Sequence, residues 1–74
     1  MPSLPVISAR QMRQTLNKLG FIERRQTGSH LIFRHPITRA MVTVPMHRGD
    51  LKPGTLRSIL KQASISVEQL SELL

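Results

Sequence analysis

Apolar residues near the start of the chain recur with helical spacing. Ala9, Met12, Leu16 and Leu19 stand at i, i+3, i+7 and i+10, one face of a 3.6-residue period. Ser8 is placed to cap this helix, Gln11 three residues later completes a capping box, and Gly20 supplies a left-handed stop. The polar face carries Arg10, Arg13, Asn17 and Lys18. Two arginines so close to a helix N-terminus oppose the macrodipole by about 0.3–1 kcal/mol each, which suggests an anion from outside the chain.

From Phe21 the period changes. "FIERRQT" (21–27) and "HLIFRH" (30–35) flank Gly28 and Ser29, and "AMVTVP" (40–45) follows a second turn at "PITR". Three short strands in an antiparallel meander are expected. On the second, Leu31 and Phe33 share one face and leave His30, Ile32 and Arg34 on the other.

"HRGDLKPG" reads as a loop, with Pro53 suited to the first turn of the next helix. Leu56, Ile59, Leu60 and Ala63 then form an amphipathic stripe, with Arg57 and Lys61 facing outward. A short closing helix is expected from Ser66, capped with Gln69 and apolar at Val67, Leu70 and Leu73. The expected fold is α+β, αβββα with a helical tail, in one domain spanning 1–74. Two helices on one face of a three-stranded sheet leave the other face open.

Size and composition narrow the chemistry. A fold of this length buries only about 60% of the surface its unfolded chain exposes, so the core must be small. Without cysteine, disulfides, thiolate catalysis and Cys-based zinc sites are excluded. No apolar run is long enough to span a membrane and no signal peptide is evident, so a cytoplasmic protein is expected. Eleven Lys and Arg against four Asp and Glu give +7, and eight of the eleven are arginine. Arginine's planar fork suits phosphate, and a polyanion is the expected partner.

Three histidines do not make a metal site here. None lies at i, i+4 on an expected helix, and the carboxylates are not gathered near them. Nucleophilic catalysis by Ser29 or Thr55 lacks a recognisable set of partners. Acid-base chemistry on RNA fits better, because RNA carries its own nucleophile. A base that takes the 2′-hydroxyl proton, a donor and cationic charge are sufficient. His30 with neighbouring arginines is such a minimal set, although spacing alone favours His30 as a plain polar residue on a solvent-facing strand.

Four motifs, in order, bear on that choice: "LGF" at 19–21, "GSH" at 28–30 with Phe33 after it, "VPMH" at 44–47 and "GTLRSILKQASIS" at 54–66. Together they resemble the HicA family of toxin endoribonucleases, over about 8–66. The resemblance implies a fold like the double-stranded-RNA-binding domain and a ribosome-independent mRNA interferase of a bacterial type II toxin-antitoxin pair. It needs no cofactor or metal, and a HicB antitoxin covers its active face. It places the catalytic histidine on His30, with Gly28 and Ser29 shaping the turn. His47 becomes a candidate proton donor, and Arg24, Arg25, Arg34 and Lys52 become candidate RNA contacts. His35, before a proline, is read as structural. Where the family often has glycine after the second long helix, this chain has Ser64, so a looser helix stop is expected.

The competing class is a non-catalytic RNA-binding module, which the same fold and charge would serve by shape and phosphate contacts. A module of that kind has no use for a histidine at the start of the open-face strand. A protein-interaction adaptor explains neither the charge nor His30.

Overall fold

The computed structural model describes residues 3–74. The helix signals around Ser8 act as read: α1 runs Ala9–Lys18, and Ser8 Oγ accepts from the Gln11 N–H (3.1 Å) while Gln11 Oε1 accepts from the Ser8 N–H (2.9 Å). Gly20, at φ +94°, turns the chain away. Three strands follow, β1 Ile22–Thr27, β2 His30–Arg34 and β3 Met41–Pro45, then helices α2 Pro53–Ala63 and α3 Val67–Leu73. The sheet is antiparallel in the order β1-β2-β3. This α-β-β-β-α-α order is an α+β fold like that of the double-stranded-RNA-binding domain.

Both long helices pack on β3, and α3 packs on α1. The core gathers Met12 and Leu16 of α1, Leu31 and Phe33 of β2, Val42 and Val44 of β3, and Leu56, Ile59 and Leu60 of α2, with Ile7 and Leu70 closing its ends. Thr15 is also buried, on the apolar side of α1, where its hydroxyl donates to the Gln11 carbonyl at 2.9 Å. Gln62 of α2 covers part of the outer edge of β3, its Oε1 accepting from the Thr43 N–H at 2.9 Å. α3 has the expected Ser66–Gln69 capping box (2.7 and 3.1 Å) and is further tied to α1 by Lys18 Nζ, which donates to the Leu73 carbonyl at 3.0 Å.

Two expectations from the sequence need correction. Arg13 has its anion within the chain: Nε pairs with Glu23 Oε1 and Nη2 donates to Oε2 at 3.1 Å, so Glu23 also raises the guanidinium pKa further. The stop after α2 is not loose either. Ser64 itself takes the left-handed conformation (φ 58°, ψ 41°), and its N–H reaches the Leu60 and Lys61 carbonyls.

Ser64 is therefore a non-glycine residue where a Cβ is disfavoured, and it is exposed. Ser64→Gly should raise stability by about 1 kcal/mol, read as a higher urea midpoint with unchanged slope. An unchanged or lower midpoint would show that the Ser64 side chain contributes more than its strain.

His35 provides a second test. Its Nδ1 accepts from the Ile37 and Thr38 N–H groups, both at 3.2 Å, so Nε2 holds the hydrogen and donates to the Leu19 carbonyl at 3.2 Å. The ring also meets Phe21 edge-on at 5.1 Å. His35→Ala should cost about 1–3 kcal/mol by leaving the part-buried Leu19 carbonyl unpaired and removing the ring from Phe21, whereas His30→Ala, on the exposed face, should change stability by no more than about 0.5 kcal/mol. Equal losses in the two unfolding curves would contradict this division of roles.

Candidate functional site

The site begins at the turn between β1 and β2. Thr27 and His30 face each other across the two residues Gly28 and Ser29, and Gly28 has φ +58°. Positive φ at the first central position is the geometry in which glycine leads a tight hairpin turn, and nothing else crowds that position. The Ser29 carbonyl then accepts from the Met46 N–H at 2.6 Å, which carries the β2-β3 ladder past His30 and fixes the turn to the end of β3.

Register decides what shares a face with His30. Across the three strands, Thr27, His30 and Pro45 form one row, Arg25, Ile32 and Thr43 the next, and Ile22, Arg34 and Met41 a third. These rows lie on the face opposite the core, because the intervening row holds the buried Leu31 and Val44. Arg25 is thus diagonal to His30, within reach of long side chains on one face of a sheet. Ile22 and Met41, half-exposed at 51% and 57%, flank Arg34 at the far end.

Arg24 stands apart. The pairing shifts between Glu23 and Arg25, so Arg24 is the extra residue of a β-bulge and has no partner on β2. Bulges re-aim side chains. Glu23 stays opposite Phe33 on the helix side, where it meets Arg13, and Arg25 returns to the His30 face. Four consecutive polar residues, Glu23 to Gln26, gave no hydrophobic alternation from which this bulge could be read.

Beyond Pro45 the chain walls a cavity of about 480 Å³, lined by Pro45, His47, Arg48, Gly49, Asp50, Leu51, Lys52 and Thr55. Its wall is held in place: Leu51 is buried and its N–H donates to the Ile7 carbonyl at 2.8 Å, beside a bridge between Ser8 and Asp50. Gly49, at φ +81°, makes the bend. The cleft therefore brings His47 and Lys52 together with Thr55, weighed above only as a nucleophile without partners, and adds Arg48 and Asp50 from the stretch read as a plain loop. Pro45 joins the two regions, since it both pairs with His30 and lines the cleft.

His30 and His47 are both exposed, while His35 is half-buried with both ring nitrogens engaged. Among the described residues, no three His, Asp or Glu side chains gather as a metal would require. Among those residues, too, no helix is long and apolar enough to cross a membrane. The arrangement can move protons beside fixed positive charge, with a cavity adjoining.

Comparison with known proteins bears on that arrangement. No curated protein sequence matches the chain significantly. The family described as "HicA toxin of bacterial toxin-antitoxin" matches residues 9–65, from the first residue of α1 to just past the end of α2. That span holds the turn, the open face and the cleft together, and the chain belongs to the HicA toxin family of bacterial toxin-antitoxin systems.

Proposed function

We propose that the protein is an endoribonuclease, an mRNA interferase that cuts RNA by acid-base catalysis without a metal cofactor. The observation that carries this reading is the exposed imidazole of His30 on the open sheet face, diagonal to Arg25, in a row that ends at the cleft holding His47. His30 takes the proton of a ribose 2′-hydroxyl, and the freed oxygen attacks the adjacent phosphorus. Arg25, diagonal to His30, offsets the charge that builds on the phosphoryl oxygens, and Arg34, farther along the face, holds the backbone of the bound strand. The bond to the 5′-oxygen of the next nucleotide breaks, and His47 supplies its proton. The products are a 2′,3′-cyclic phosphate and a 5′-hydroxyl end.

Family membership implies an antitoxin partner. We take it to be of the HicB type, and a partner seated on the open face would cover His30 and its arginines at once. The cellular setting that fits this pairing is bacterial cytoplasm, where mRNA is the substrate at hand.

His30→Ala should lower the cleavage rate by about 10²–10⁴-fold and relieve growth arrest while the protein stays folded. RNA with 2′-deoxyribose at the cut should resist, and cutting should survive EDTA. Binding of RNA with no cutting by the parent protein would instead favour the non-catalytic, duplex-binding reading. Efficient cutting of the 2′-deoxy substrate would point to water as nucleophile.

Charge on the open face is testable separately. RNA affinity of the His30→Ala protein should fall with salt at a slope of about −0.7 per contacted phosphate for single strands. Arg25→Ala or Arg34→Ala should each make that slope shallower by about one phosphate's worth. Arg24, displaced in the bulge, should change it less. Arginine variants with the parent's slope would place the RNA elsewhere.

A further inference from the structure

We infer that the cleft between Pro45 and Thr55 is a nucleotide subsite, and that it holds the nucleotide immediately 3′ of the cut together with that nucleotide's own 3′-phosphate. This inference rests on the endoribonuclease reading and adds a direction to it. The 2′-hydroxyl that attacks must lie at His30. The 5′-oxygen that leaves must lie at the proton donor, and His47 stands in the cleft. One nucleotide carries the first atom and the next nucleotide carries the second, so the strand runs 5′ to 3′ from the Thr27 and Arg25 side of His30 toward β3 and into the cleft.

The cavity suits that occupant in size and chemistry. A volume of about 480 Å³ falls within the range of small-ligand sites. Pro45 and His47 offer flat surfaces to a base or ribose, and Arg48 and Lys52 contribute two cations to the lining for a phosphate. Asp50 brings a carboxylate, an acceptor for the N–H groups of a base edge and unfavourable to a phosphate placed beside it. The phosphate is therefore assigned to Arg48 and Lys52 and the base to the Asp50 side. The wall does not have to form on binding, since Leu51 is already fastened to Ile7.

The direction makes the two ends of a substrate unequal. After one cut site has been mapped in mixed RNA, short RNAs spanning it are truncated from each end and their kcat/KM compared. Ending the strand at the downstream nucleotide without its 3′-phosphate should lower kcat/KM by about tenfold, and adding that terminal phosphate alone should restore it. In the Arg48→Ala/Lys52→Ala double variant the terminal phosphate should make less than about a twofold difference. A phosphate effect that persists in the double variant, or one found only at the upstream end, overturns the assignment.

A second arm does not depend on cutting. A nucleoside 3′,5′-bisphosphate is titrated into isotope-labelled His30→Ala protein, and backbone amide shifts are followed. Shifts confined to residues 47–55 support the subsite, and their loss in the double variant ties them to the two cations. Shifts centred on Arg25 and Thr27, or none, overturn it. A parent protein that cuts no RNA would remove the endoribonuclease reading, and the bisphosphate result would still decide whether the cleft takes a nucleotide.

Discussion

Leu31 and Phe33 project from β2 into the helix side of the sheet, exposed by only 6% and 0%, and the neighbouring Val42 and Val44 of β3 are fully buried. Each such side chain contributes about 1.5–3 kcal/mol through burial, in a fold whose total stability is about 5–15 kcal/mol. A one-residue slip of β2 would bring both residues to solvent and drive His30 and Arg34 into the core. That alternative is beyond what so small a core can tolerate. The outward direction of His30 is thus a consequence of packing on the other side of its own strand. The Gly28 turn and the Ser29–Met46 hydrogen bond then fix how far His30 stands from the end of β3.

Charge is organised around the same sheet. With a formal charge of +7 and four carboxylates, most cations have no internal counter-ion to meet. Glu23 is used on the helix side, where it pairs with Arg13, and the bulge at Arg24 is what lets Glu23 and Arg25 point to opposite faces. The ion pair is exposed, and pairs of that kind add little to stability. Its effect is distributional: one arginine of α1 is neutralised locally while Arg25 and Arg34 stay available on the face that holds the imidazole.

Much of this could be read from the sequence because helical and strand periods are strong where one face is buried. The stripes of α1 and α2, the three capping or stop signals and the alternation in β2 all carry that signature. β1 does not. Its residues are almost all exposed, so no hydrophobic pattern set its register, and pairing with β2 alone decided where the bulge fell. The Arg13–Glu23 pair, ten residues apart across a helix and a strand, was equally out of reach. The cleft was half legible: His47 and Lys52 stood out as residue types, but their meeting depends on the bend at Gly49 and on Leu51 reaching back to Ile7, a contact between distant segments. His35 shows the reverse case, where a proline after it and its place in a turn were enough to mark a structural role.

The fold alone does not separate a nuclease from a reader of RNA shape, because both can use an αβββα frame. What separates them is where the titratable groups sit relative to the cations. A shape reader gains from phosphate contacts spread along its longest dimension and gains nothing from an imidazole whose orientation is enforced. Here the two histidines free of backbone networks lie on either side of Pro45, one on the sheet and one in the cleft, with Arg25 diagonal to the first and Arg48 and Lys52 around the second. In the proposed reaction the first takes a proton and the second gives one, each beside its own cations, a division of labour that matches the two ends of a single phosphodiester better than it matches a duplex. Under the same proposal, an antitoxin covering the rows from Thr27 to Pro45 would block His30, the neighbouring Arg25 and the entrance to the cleft together.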